Sequence, residues 1–89
     1  MNEDSRSHLV FPCEFSIKVF GVATDQFVTQ VMGLIRKHIP EAEDACFRTR
    51  PSQDGKYLAI TITVEAESQP QLDAIYQELT ASPLILMAL

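Results

Sequence analysis

Glycine is scarce in this chain: three among 89 residues, at Gly21, Gly33 and Gly55, each isolated. That excludes a glycine-rich loop whose backbone N–H groups cradle a phosphate. Histidine is scarcer still. His8 lies in a polar N-terminal stretch and His38 near the end of a helical pattern, neither with an evident partner at a fixed spacing. No HExxH and no Ser, His and acid grouping occurs, so the sequence predicts a chain that is not an enzyme and carries no cofactor. The two cysteines, Cys13 and Cys46, have no Cys or His nearby and make no metal pattern. Without an export signal they read as free thiols rather than a disulfide. Cations are outnumbered, 7 Lys and Arg against 12 Asp and Glu, for a net charge of −5. Nucleic acids and anionic membranes attract local cationic excess, so the balance argues against both as partners. Long apolar runs are missing too. The longest, Leu84–Leu89, is far short of the ~20 residues that span a bilayer. Met1–His8 is polar with no apolar core and is not a secretory signal, which predicts a cytoplasmic location.

What is present is an order of patterns. Glu14–Phe20 alternates, with Phe15, Ile17 and Val19 on one face and Ser16, Lys18 and Phe20 on the other. Gly21 is expected to end that strand by turning sharply. Thr24–His38 has helical spacing, with Thr24 or Asp25 as its cap and a stripe of Phe27, Val28, Val31, Met32, Leu34, Ile35 and Ile39. Gly33 inside it is expected to pack closely on the sheet. Arg36, Lys37 and His38 complement the helix dipole, and Pro40 ends the helix. Glu41, Glu43 and Asp44 read as a solvated connector. Strands are predicted at Ala45–Arg50 and Lys56–Glu65, joined by a hairpin loop ending in Asp54-Gly55. Ser68–Thr80 is helical, opened by a Ser68 and Gln71 capping box with Pro70 in its first turn.

Leu84–Leu89 closes the chain as a strand that is apolar on both faces, Leu84, Leu86 and Ala88 against Ile85, Met87 and Leu89. Either its second face meets another subunit, or Leu9–Phe11 folds over it. The order strand, helix, strand, strand, helix, strand predicts an α+β fold: a ferredoxin-like βαββαβ two-layer sandwich. Right-handed crossovers place both helices on one face of an antiparallel four-stranded sheet of order 4-1-3-2. Residues 1–8 are expected to form a disordered tail and 9–89 a single domain.

The open sheet face then gathers Ser16, Lys18, Phe20, Arg48, Arg50, Tyr57, Thr61 and Thr63, provided that Phe47 rather than Arg48 points inward. Two kinds of function fit. The first is a regulatory or protein-interaction module, with Lys18, Arg48, Arg50 and Tyr57 lining any site on the open face. In that reading the turn at Gly21 and Thr24 offers N–H groups to a small-molecule effector. Its partner is an unknown protein or effector, and the two-faced last strand points to a homodimer through the sheet. The second is binding of single-stranded RNA on the same face, which Leu58–Val64 does not favour, because it lacks the aromatics and glycines of the RNA-recognition motif.

Several segments together carry a resemblance. They are Phe11-Pro12 with Phe15, Lys18-Val19 and Gly21; His38 with Pro40; Arg50-Pro51-Ser52 with Gly55 and Tyr57; Ile60-Thr61-Ile62-Thr63; Tyr76-Gln77-Glu78-Leu79; and Met87-Ala88-Leu89. Across nearly all of Phe11–Leu89 the chain resembles the YbeD-like family of small uncharacterised bacterial proteins. The resemblance implies a ferredoxin-like fold close to the ACT regulatory domains and no established activity. It also implies a link to lipoate metabolism through gene neighbourhood. From the ACT likeness it implies amino-acid binding beside the turn from strand one to helix one, a turn that here has no glycine in Val22–Asp25.

Overall fold

Alternation and helical spacing become six elements in the computed structural model, which describes residues 9–89; the tail expected over 1–8 lies outside the described residues. They are β1 (Cys13–Val22), α1 (Asp25–His38), β2 (Phe47–Pro51), β3 (Tyr57–Ala66), α2 (Gln69–Ala81) and β4 (Ile85–Ala88). The sheet is antiparallel with order β2-β3-β1-β4, the expected 4-1-3-2 counted from the other edge. The fold is the ferredoxin-like sandwich.

β1 and β3 pair over their whole length, Cys13 opposite Ala66 through Val22 opposite Tyr57. Their inward residues Ile17, Val19, Ile60 and Ile62 are fully buried. Against them the helices lay Phe27, Val31 and Ile35 from α1 and Leu72, Ile75 and Leu79 from α2, all buried. One stripe per helix and one face per strand close a single core.

Each helix start has a side-chain cap for one of its orphan N–H groups. Thr24 caps α1, its Oγ1 accepting from Phe27 N at 3.1 Å. Ser68 Oγ accepts from Gln71 N at 3.2 Å, while Gln71 Oε1 accepts from the N–H of Glu67 rather than from that of Ser68. The expected capping box is therefore displaced by one residue on its return bond.

Several expectations need correction. Strand two begins at Phe47, not Ala45, because Asp44–Cys46 form a short 3-10 turn that brings Cys46 to a half-buried place against the core. Phe47 sits opposite Ile62 and packs inward, so Arg48, opposite Thr61, faces out. Gly21 does not end β1, which runs on to Val22, and its φ is not positive. Its role is close approach: a Cβ there would lie 2.5 Å from Phe27 Cε1 and 2.7 Å from the Leu84 carbonyl oxygen. Gly33 is exposed with nothing within 4 Å of where its Cβ would stand, so it does not serve packing. Glu41, Glu43 and Asp44 are exposed, but Asp44 also accepts from Arg36. His38 has a partner in space, Glu78 of α2, at 2.7 Å.

β4 departs most. Between Phe20 and Gly21 the register shifts, so Gly21 faces Ile85 while Phe20 faces Met87. A bulge inserts one residue and flips the alternation after it. Ile85 and Ala88 therefore share the inner face, Met87 and Leu89 the outer, and Leu86 is the extra residue. Leu9 and Phe11 pack against the core from the helix side, Leu9 near Phe15, Leu72 and Tyr76. They do not cover β4, whose Leu86, Met87 and Leu89 stay 61%, 53% and 61% exposed.

Candidate functional site

Pleating puts every second residue of a strand on the face away from the helices. On β1 these are Glu14, Ser16, Lys18, Phe20 and Val22; on β3, Tyr57, Ala59, Thr61, Thr63 and Glu65. β2 adds Arg48 and Arg50, and β4 adds Met87. Leu89 joins them, exchanging backbone bonds with Lys18 in both directions at 3.0 and 2.7 Å.

Read across the sheet, one row is Arg48, Thr61, Lys18 and Leu89, and the next is Arg50, Ala59, Phe20 and Met87. With strands ~4.8 Å apart, Lys18 and Arg48 stand about 10 Å from one another across Thr61. The far end is acidic, with Glu14 opposite Glu65, and the near end aromatic and apolar, with Tyr57 opposite Val22. Ser16 Oγ and Thr63 Oγ1 hydrogen-bond at 3.2 Å between these ends. Lys18, Arg48, Arg50 and Lys56 are exposed, and among the described residues none of them enters an ion pair; Arg36 and Lys37 pair with Asp44 and Glu78.

Two shallow concavities flank the arginines. One, about 210 Å³, is lined by Phe20, Arg50, Pro51, Ser52, Tyr57, Leu58 and Ala59. The other, about 460 Å³, is lined by Ala45, Cys46, Arg48, Thr61 and Thr63. The second falls within the range of small-molecule pockets; the first is smaller than that range. The hairpin that carries Arg50 and Tyr57 is held by its own bonds. Ser52 Oγ donates to Asp54 Oδ1 at 2.7 Å, the same carboxylate accepts from Lys56 N, and Ser52 Oγ accepts from Tyr57 N. The Ser52 hydroxyl, first, and the Lys56 N–H hold the Asp54 carboxyl below its usual value. Gly55 takes the left-handed φ of 75° that the turn requires.

Lys18, Arg48, Arg50 and Tyr57 thus come together on one face. Gly21 and Thr24 do not join them. Gly21 is buried on the inner face beneath the Phe27 ring, and the Thr24 hydroxyl is engaged as a helix cap. Donors of that turn are also taken internally: Ala23 N by the Lys56 carbonyl at 2.9 Å and Thr24 N by the Val22 carbonyl at 2.8 Å. Sequence reasoning missed Met87 and Leu89 as neighbours of the cations, because the bulge that turns them outward leaves no mark in the residue types.

Away from this face, His38 Nε2 and Lys37 Nζ both meet Glu78 across α1 and α2. The His38 bond, first, and that from Lys37 hold the Glu78 carboxyl below its usual range. Among the described residues no group of His, Cys, Asp and Glu is placed to hold a metal ion, and no helix is long and apolar enough to cross a membrane.

The backbone is similar to that of protein HP0495 from H. pylori, with a TM-score of 0.71 and 15% identity, covering 100% of this chain and 97% of that one. It is also similar to the ACT domain from GTP pyrophosphokinase of Chlorobium tepidum, with a TM-score of 0.63 and 14% identity, covering 85% and 84%. At such identities the likeness is one of fold. In sequence, the chain is 37% identical over 89 residues to a UPF0250 protein of Chromobacterium violaceum, covering the whole of both. It is 39% identical over 83 residues to a UPF0250 protein of Janthinobacterium, covering 93% of this chain and 91% of that one. The family described as protein of unknown function (DUF493) matches residues 6–89. These matches bear out the YbeD-like resemblance, and the chain belongs to the DUF493 (UPF0250) family.

Proposed function

We propose that this chain is a non-enzymatic, cytoplasmic interaction module of the ACT-like kind that works through the open face of its sheet. The partner brings carboxylates to Lys18, Arg48 and Arg50 and apolar side chains to Phe20, Met87 and Leu89. A second copy of this net-acidic chain is the first partner to test. One observation carries the reading. In a chain of net charge −5, four exposed cations and an exposed apolar strand end are gathered on or beside the sheet face that, among the described residues, no helix covers. An exposed apolar patch rimmed by polar and charged residues is the usual make-up of a docking surface. The turn at Gly21 and Thr24 is the weaker place for an effector, since Ala23 N, Thr24 N and Phe27 N already have partners within the chain.

The test is sedimentation of the parent, Arg48→Glu and Met87→Asp chains up to high micromolar concentration, followed by NMR titration with amino acids, lipoate precursors, an acidic peptide and short RNA. Self-association or acidic-peptide shifts on the open face, lost in both variants, support the reading. A strictly monomeric chain with no open-face shift from any acidic ligand overturns it. Shifts with RNA alone, falling steeply with salt, favour the nucleic-acid alternative instead. Shifts with amino acids or lipoate precursors clustered at Gly21–Asp25 move the site to the turn.

A further inference from the structure

β4 is shorter than the strand it borders. It pairs with Val19–Gly21, and Leu89 adds its bonds to Lys18, whereas β1 extends back to Cys13. Backbone groups of alternate residues point to the same edge of a strand. Lys18 turns its N–H and C=O toward β4, so Ser16 and Glu14 turn theirs the same way, away from β3. Their side chains agree. Ser16 stands opposite Thr63 with the hydroxyls in contact, as in the close, non-hydrogen-bonded positions of an antiparallel ladder. Among the described residues no strand lies beside that stretch of edge.

A groove lies beneath it on the helix side. It has a volume of about 580 Å³ and is lined by Leu9, Phe15, Leu72 and Tyr76, with Gln69, Asp73 and Gln77 at its margin. The groove starts where β4 stops: the Tyr76 hydroxyl that lines it donates to the Leu89 carbonyl at 2.9 Å. Burial pushes the Tyr76 phenol above its usual value. Free backbone along an edge above an apolar trough is the arrangement that accepts an added strand.

We propose that the edge of β1 over Cys13–Ile17 takes up an extended segment of a partner protein that alternates apolar and basic residues, in line with β4. The segment bonds the N–H and C=O groups of Glu14 and Ser16. Its residue opposite Phe15 drops an apolar side chain into the groove, and the residues on either side emerge on the open face. There the position beside Glu14 meets Glu14 and Glu65, while the position beside Ser16 lies between Glu14 and Lys18; below the edge stands Asp73, and among the described residues no Lys or Arg lines the groove. Acidic margins on both sides of the edge select Lys or Arg beside Glu14 and reject an acidic strand there. The site borders the cationic open-face patch at Lys18 and takes a partner of opposite charge.

The probe is a blocked peptide alternating Lys and Val, titrated into the isotope-labelled full chain, with a Glu and Val peptide as control. Binding of the Lys peptide alone is expected, with shifts and slowed hydrogen exchange at Glu14 and Ser16. Ser16→Pro removes the N–H on the free edge while leaving the β3 ladder its bonds. It is expected to weaken binding about tenfold, the loss of one hydrogen bond. Glu14→Lys with Asp73→Lys, both on exposed positions, should weaken it at least as much. No binding of the Lys peptide at millimolar concentration, equal binding of both peptides, or shifts confined to Lys18, Arg48 and Arg50 each overturn the proposal. None of these outcomes depends on whether the open face takes an acidic partner.

Discussion

Gly21→Ala and Gly33→Ala are expected to move stability in opposite directions. At Gly21 the new methyl meets Phe27 Cε1 at 2.5 Å, Phe27 Cδ1 at 2.7 Å and the Leu84 carbonyl oxygen at 2.7 Å. Phe27 is fully buried and the carbonyl is backbone, so neither neighbour yields cheaply. Overpacking of this kind costs about 1–3 kcal/mol, here at the upper end, and replacing a strand glycine returns about 0.5–1 kcal/mol. The net loss is about 2 kcal/mol, a fall in Tm of roughly 10 °C for a domain of this size. At Gly33 nothing stands within 4 Å and the backbone is ordinary helix, so alanine gains about 1 kcal/mol and raises Tm by roughly 5 °C. Thermal unfolding by circular dichroism, with urea midpoints as a second measure, reads both. A Gly21→Ala chain as stable as its parent would refute the account of close packing between β1, α1 and the entry to β4.

Glu78→Gln should flatten the loss of stability on acidification. His38, and after it Lys37, hold the Glu78 carboxyl below its ordinary 4.5, so its contribution is full above that pH and fades as pH falls through the lowered folded value. Tm curves of parent and variant that run parallel below pH 4.5 would sink that assignment. Phe47→Ala is expected to lose about 2 kcal/mol and Arg48→Ala less than about 0.5 kcal/mol, because only Phe47 packs on the core; reversed urea midpoints would mean the register is wrong. Thr24→Ala removes the α1 cap and should cost about 1 kcal/mol in the same assay.

The periods of the sequence reported the layers faithfully. Ile17 and Val19 alternate with Ser16 and Lys18 because one face of β1 is covered and the other is not, and Ile60 and Ile62 alternate with Thr61 and Thr63 for the same reason. Lys18, Arg48, Arg50 and Tyr57 fall together from that alternation, the strand order and an inward Phe47. What stayed hidden depends on contacts between segments far apart. The bulge opposite Phe20 inverts the facing of Met87 and Leu89, and no local propensity encodes it. Gly21 and Gly33 are the same residue type with unlike reasons, separable only when Phe27 and Leu84 are seen beside one and empty space beside the other. The His38 partner lies on another helix. Phe47 and not Ala45 opens β2 because a single 3-10 turn intervenes, a shift of two residues that the apolar pattern tolerates.

The bond between Lys18 and Leu89 joins residues near opposite ends of the chain. The β2–β3 hairpin closes over a loop of a few residues, whereas β4 pairs with β1 across nearly the whole length of the chain. Closing so long a loop is costly in chain entropy and slow. The last strand is also the shortest of the four, with Ile85 its one buried side chain. Its departure therefore leaves the β1–β3 pair and the cores of both helices largely intact. β4 is then a part of the sheet that partial unfolding releases well short of global denaturation. Each such opening lengthens the bare edge of β1 from its N-terminal half to its whole length, so the timing of β4 sets how much backbone the protein shows to its surroundings.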